Sequence, residues 1–147
     1  MIKKLSIAAL SLVLLVALAF AAGYLANPAP VVPAAEARTD RPVVVKFHAR
    51  WCVLCMATKG VWEELQTAYA GRVDLVVFDF TNEETTEAAR AEARRLGLEQ
   101  VFDDYFGTTG SVFVLDGRSK DVRAELHGDR NFADYRTAID AALGDRR

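Results

Sequence analysis

Cysteine is scarce in this chain. Only two occur in 147 residues, Cys52 and Cys55, three positions apart. A disulfide framework spreads its cysteines to staple distant segments, and this pair closes too small a loop to restrain a fold. The two cysteine pairs of a common structural zinc site are missing as well. Proline is equally sparse: three of the four lie between Asn27 and Arg41, and none follows Pro42. Excess positive charge is lacking too. The net charge is −2, and two of the 18 basic residues, Lys3 and Lys4, stand apart at the N-terminus. A basic face that could neutralise phosphates is therefore not expected, and nor is a nucleic-acid partner. There is no phosphate-binding glycine loop, no nucleophilic serine motif and no internal repeat.

The charge-poor N-terminus is informative. Lys3 and Lys4 are the only charges before Glu36, and the stretch from Leu5 to Leu25 is apolar except at Ser6, Ser11 and Gly23. A positive start followed by an apolar run is the pattern of an export segment. Residues 1–26 are expected to be a signal anchor or a signal peptide. Ala19-Phe20-Ala21 offers a small-x-small cleavage site, while the run approaches the ~20 residues that span a bilayer. Retained, the segment anchors the chain in the inner membrane, with the rest facing the periplasm or the cell exterior. Cleaved, it releases the chain to the periplasm. Residues 27–41, rich in Pro and Ala, read as a semi-rigid linker, and 42–147 as the folded domain.

Within that domain the hydrophobic period alternates between the two regular types. Val43 to Ala49 reads as a buried strand. From Val53 the period becomes helical, with Leu54, Thr58, Val61, Trp62, Leu65 and Tyr69 on one face and Gly71 as the stop. Val73 to Phe80 is a second strand. Asn82 caps a helix through Ala88, Ala89 and Ala93 to Leu96, ended by Gly97. The acidic run Glu83, Glu84 and Glu87 suits that helix start. Leu98 to Gly110 reads as a short helical turn or a packed loop. Val112 to Leu115 and Val122 to Leu126 form a hairpin about Asp116-Gly117. Asn131 and Asp134 start a last helix with Phe132, Tyr135, Ile139 and Leu143 on its apolar face. The order βαβαββα implies an α/β fold: a four-stranded mixed sheet with helices on both faces.

Trp51-Cys52-Val53-Leu54-Cys55 falls where the first strand gives way to the first helix. At a helix N-terminus, free N–H groups favour a negative charge, which lowers a thiol pKa and supplies the nucleophilic thiolate. Cys52 takes that place and is expected to attack. Cys55, one turn later, can reach Cys52 to form or resolve a disulfide, and is expected to be the more buried sulfur.

The stretch VVVKFHARWCVLC resembles the active-site strand and turn of the thioredoxin superfamily. With its Val-Leu core it is especially similar to the C-terminal domain of bacterial transmembrane thiol-reductant conductors. The resemblance runs from Pro42 to Leu143 by element order. It implies a thioredoxin-like three-layer fold and a thiol–disulfide oxidoreductase, with Cys52 as nucleophile and Cys55 as resolving cysteine. It further implies protein disulfides as substrates, a thiol electron donor, the reductive direction, and no cofactor beyond the cysteine pair itself.

Three departures from the family pattern stand out. The position of the usual cis-proline holds Thr109-Gly110, where a cis bond is disfavoured and Gly110 can still allow close backbone approach. Lys46 replaces a buried acid beneath the resolving cysteine. Its ammonium can stabilise a thiolate at Cys55, pair with Asp79, or snorkel to water. Glu99 to Gly107 resembles an insertion whose aromatics either pack on the sheet or wall the site. Trp51 is expected to shield the disulfide and contact a protein substrate, and Arg50 to favour the thiolate or simply lie in solvent.

One rival chemistry uses the same residues. Two thiols with His48 or His127 could hold a soft metal such as copper, making the domain a metal chaperone or a binding module without turnover. His48 otherwise packs or hydrogen-bonds near Trp51, and His127, at a strand end before Gly128, otherwise reads as an exposed loop histidine.

Overall fold

A computed structural model describes residues 40–144. The expected export segment and all of the linker except Asp40 and Arg41 lie outside the described residues. Among the described residues no helix is long and apolar enough to cross a membrane.

Strand β1 (Val43–His48) leads through a tight turn into α1 (Val53–Ala57) and α2 (Lys59–Ala68). Then come β2 (Asp74–Asp79), α3 (Glu83–Leu96), α4 (Glu99–Asp104), β3 (Ser111–Leu115), β4 (Val122–His127) and α5 (Phe132–Gly144). The four strands form one sheet in the order β2-β1-β3-β4. β1 runs parallel to β2 and antiparallel to β3, and β3 runs antiparallel to β4. This is the expected mixed sheet, with β1 at its centre and helices on both faces.

Side chains alternate across the sheet and divide the core in two. Val43, Val45 and Phe47 of β1, with Phe113 and Leu115 of β3, meet α3 and α4 through Ala89, Ala93, Val101 and Phe102. Phe47 is the hub of this face: the rings of Phe78, Phe80 and Phe113 lie 5.5, 5.5 and 5.1 Å away. On the other face Val44, Val112 and Val114 meet Trp62, Leu65 and Tyr69 of α2 and Tyr135, Ile139 and Ala142 of α5. Lys46 lies between Val44 and His48 on this second face, and is buried.

The expected single helix after Cys52 is two helices. Thr58 separates them at φ −97°, ψ 6°, and its hydroxyl donates to the carbonyl of Leu54 at 2.9 Å. Such back-bonding by threonine competes with the helical ladder. Leu54 also departs from the expected buried face and lies partly exposed. The start of α3 is as expected: the Asn82 side chain accepts from the Thr85 N–H, the Asn82 N–H donates to the Thr85 hydroxyl, and Gly97 closes the helix in the left-handed region.

The segment after Gly97 resolves into a helical turn. Val101 and Phe102 are buried, Tyr105 stacks on Phe113 at 4.2 Å, and Phe106 leans on Phe80 and Phe102. These aromatics chiefly extend the core on the α3 face, the simpler of the two expectations.

Candidate active site

The turn after β1 places the cysteine pair. The Cys52 N–H donates to the carbonyl of Ala49 at 3.1 Å, reversing the chain at the strand end. Cys52 then adopts extended backbone angles, φ −80° and ψ 114°, and becomes the N-cap of α1. Its sulfur accepts the N–H of Cys55 at 3.2 Å, the bond a serine or aspartate oxygen would take in an ordinary cap. Cys55 sits one turn on, with its Sγ donating to the carbonyl of Phe47 at 3.7 Å. Both are free thiols. Cys52 is 6% exposed and Cys55 1%, so the order of exposure is the expected one even though both are largely covered.

The loop before β3 closes over the pair. The Gly110 N–H donates to the carbonyl of Phe47 at 2.9 Å, and the Gly128 N–H to the carbonyl of Gly110 at 3.0 Å. Gly110 has φ +95°, and a Cβ there would stand 2.9 Å from the Leu54 Cβ and 3.6 Å from the Cys52 Sγ. At Gly128, φ +60°, a Cβ would stand 3.0 Å from the Leu54 Cδ2. Leu54 is thus seated against two bare backbones, which only glycine permits in this conformation. The described residues contain no cis peptide bond. The Thr109 side chain lies near enough to the Cys52 sulfur to lower its pKa.

These contacts divide the two thiols electrostatically. Burial alone raises the Cys52 thiol, but the Cys55 side chain and N–H, the Thr109 side chain and the Leu54 N–H outweigh it. The Cys52 pKa ends below its ordinary 9.0. Burial pushes Cys55 the other way, reinforced by the Cys52 sulfur, to about 11. At neutral pH the site holds a reactive sulfur beside one kept protonated.

Lys46 is buried near enough to the pair to interact with both sulfurs electrostatically. It is 5% exposed, and its Nζ stands 5.4 Å from the centre of the Trp62 ring. Burial lowers its pKa, while Cys55, Cys52 and Glu63, in that order, raise it. The expected alternative of a pair with Asp79 does not form: Asp79 instead accepts from the N–H of Thr81 at 2.8 Å and from its hydroxyl. The stem of the side chain is buried, so at most the tip of its head reaches water.

The rim is apolar. Trp51 is 62% exposed, and Val53 and Met56 stand out beside it. The Trp51 indole N–H donates to the carbonyl of Thr81 at 3.2 Å, and the Arg50 N–H to the Thr81 hydroxyl at 3.0 Å. Arg50 is therefore tethered by its backbone, with an exposed side chain.

The histidines part company. The His48 Nδ1 is buried without a hydrogen-bond partner among the described residues. Burial, with help from Lys46 and against Asp79, lowers its pKa. His127 is exposed at the end of β4, as expected, and its Nδ1 is 2.7 Å from the Ser111 Oγ. Among the described residues no three His, Cys, Asp or Glu side chains converge to hold a metal.

Thr81, Gly128 and the seating of Leu54 escaped the sequence reading. Thr81 carried a faint signal as a small polar residue between a strand and a helix cap. Gly128 carried none, because its partner lies far away in the chain.

Comparison with known proteins agrees with this geometry. The thioredoxin family model matches residues 34–94. Thioredoxin C-2 of Corynebacterium nephridii is 40% identical over 65 residues, 44% of this chain and 59% of that protein. The thiol:disulfide interchange protein TxlA of Synechococcus elongatus is 36% identical over 44 residues, 30% of this chain and 23% of that protein. In both cases the match spans less than two thirds of the relative. Among solved structures, a thioredoxin-like protein in its oxidised form superposes with TM-score 0.50 at 14% identity, covering 72% of this chain and 80% of that one. In strand order and in the position of its cysteine pair the described part of the chain has a thioredoxin-like fold, and residues 34–94 are similar to thioredoxin.

Proposed function

We propose that this protein is a thiol–disulfide oxidoreductase acting on disulfides of partner proteins. The observation that carries the reading is the hydrogen bond from the Cys55 N–H to the Cys52 sulfur at 3.2 Å, with Cys55 buried behind it. It favours a thiolate at one sulfur and a reserve thiol at the other.

The Cys52 thiolate attacks one sulfur of a partner disulfide, and the other partner sulfur leaves as a thiolate and takes up a proton. Cys55 then loses its proton and attacks the Cys52 sulfur. The partner's second thiolate leaves and is protonated. Two electrons have passed to the partner, and a Cys52–Cys55 disulfide remains. Trp51, Val53 and Met56 supply the apolar contact for the partner, Thr109 and Gly110 frame the reacting sulfurs, and Lys46 supports them electrostatically.

The same reading places the domain on the outer side of the inner membrane, held or delivered there by residues 1–26. It runs in the reductive direction, recharged by a thiol donor at the membrane. The similarity of residues 34–94 to thioredoxin supports the chemistry. The charge pattern of the first 26 residues supports the location.

Redox equilibration of the full chain in glutathione buffers, read by thiol trapping and mass, tests the chemistry. The expected result is a reversible two-electron transition that Cys52→Ser abolishes. Absence of a reversible Cys52–Cys55 disulfide at every poise overturns the reading and favours a metal-holding module.

A further inference from the structure

We propose that the Lys46 ammonium is the built-in counter-ion of the reduced cysteine pair, stabilising the thiolate state and thereby raising the potential of the couple. The inference rests on the redox reading of Cys52 and Cys55 and adds what sets its poise.

The placement of Lys46 is the first observation. It occupies the central strand, next to Phe47, whose carbonyl receives the Cys55 thiol. Its side chain crosses the buried face and ends over the Trp62 ring, 5.4 Å from the centre. An ammonium so enclosed is costly unless a negative charge lies near. A ring face offsets part of that cost.

The available negative charge is the second observation. The titratable groups coupled to Lys46 are Cys55, Cys52 and Glu63, with His48 beside it on the same strand. Glu63 is exposed and pairs with Lys59 at 3.5 Å. His48 is kept neutral by burial and by Lys46 itself. Asp79 is engaged by Thr81. The thiolates remain as the natural partners, and they exist only in the reduced protein.

The redox consequence follows from the charge balance. Reduction of the Cys52–Cys55 disulfide adds two electrons. Above the Cys52 pKa it takes up one proton, at Cys55, and leaves a thiolate at Cys52. That negative charge meets the Lys46 ammonium. In the disulfide form the ammonium faces two neutral sulfurs. The attraction is therefore present in the reduced form alone and favours it. An opposite charge near a thiol lowers its pKa, and each unit of that shift is about tenfold in the redox equilibrium. A thiol donor that recharges this domain can be less reducing by that margin, and the reduced domain is a weaker reductant toward its partners by the same margin.

The test compares the full chain with Lys46→Met and Lys46→Arg in glutathione buffers from pH 5 to pH 9, and follows the Cys52 thiolate by ultraviolet absorbance. Lys46→Met is expected to raise the Cys52 pKa and shift the equilibrium about tenfold toward the disulfide at pH 8. The gap is expected to close as pH falls through the Cys52 pKa, where both sulfurs become neutral thiols. Lys46→Arg keeps the charge and is expected to keep most of the effect. A gap below twofold throughout, or one equal at every pH, overturns the inference, since a packing role has no reason to follow thiolate formation. Should Lys46→Met fail to fold, the lysine side-chain carbons of the labelled wild-type chain decide by NMR. Lys46 is expected to titrate higher in the dithiol form than in the disulfide form, and equal values overturn the inference. Absence of any reversible couple in the wild type would instead sink the oxidoreductase reading, so the two failures are distinguishable.

Discussion

The Cys55 N–H donates to the Cys52 sulfur at 3.2 Å, while burial holds the Cys55 thiol at about 11. One residue thus activates its neighbour through the backbone and keeps its own side chain in reserve. At pH 7 a small alkylating reagent is expected to modify Cys52 first and leave Cys55 in place. The alkylation rate should rise with pH and reach its half-maximum below 9.0, the ordinary thiol value from which Cys52 is lowered. Cys55→Ser should trap a mixed disulfide with a protein substrate, whereas Cys52→Ser should form none. Mass spectrometry of quenched reactions reads both. Preferential alkylation of Cys55 would contradict the assignment.

The contact between Gly110 and Leu54 leaves no room for a methyl group. Gly110→Ala introduces a Cβ 2.9 Å from the Leu54 Cβ and puts an L-residue at φ +95°. The backbone conformation alone costs about 1–2 kcal/mol, and the clash adds to it. The same substitution presses toward the Cys52 sulfur, so the rate of disulfide exchange should fall with stability. Adding Leu54→Gly, which removes that Cβ, should relieve the clash but not the backbone strain. A double-mutant cycle by urea unfolding measures that coupling, and additive losses would place the strain elsewhere.

The two contacts just described were not equally visible in the chain. Cys52 and Cys55 announce themselves because strand period, spacing and helix start all meet within a dozen residues. So do the succession of strands and helices along the chain and the capping by Asn82, which are local signals. Leu54 looked like a core residue by helical period alone. Its true seat, against Gly110 and Gly128, depends on loops that arrive from 56 and 74 residues away. Thr58 fitted the helical face and gave no sign that its hydroxyl would interrupt the ladder. Lys46 was legible as an anomaly on a buried strand, but the choice between thiolate, Asp79 and water required the position of Thr81. Local chemistry is written in neighbouring residues; the fit between distant backbones is not.

Trp51 joins exposure with a fixed orientation. Its ring is 62% exposed, yet its indole N–H is held by the carbonyl of Thr81 at 3.2 Å. Trp51→Ala removes little buried surface and one exposed hydrogen bond, so the loss of stability should stay below about 1.5 kcal/mol. The rate with a protein disulfide should fall because an ordered apolar contact is gone. The rate with a small aliphatic disulfide should change by less than threefold, since the Cys52 environment is intact. Stopped-flow comparison of the two substrates checks this, and equal losses on both would assign Trp51 to the sulfur chemistry instead.

Alkaline stability should depend on redox state. Cys55 is held at about 11 in the folded protein and titrates near 9 when unfolded. A group raised in this way stabilises the fold fully below its unfolded value, and that contribution is lost as pH rises through the folded value. Between about pH 9 and about pH 11 the reduced chain unfolds with loss of a proton from Cys55, so its stability falls with pH. The slope reaches at most about 1.4 kcal/mol per pH unit. Cys52 shifts in the opposite sense, and its contribution is complete by about pH 9. Tyr69 and Tyr135, each raised to about 12, destabilise both redox forms above pH 10. The disulfide form has no thiol to titrate, so its decline should begin about one pH unit later and run less steeply. Urea denaturation of both forms at half-unit steps from pH 8 to pH 11 measures the difference. Parallel curves would mean that Cys55 is not held protonated by the fold.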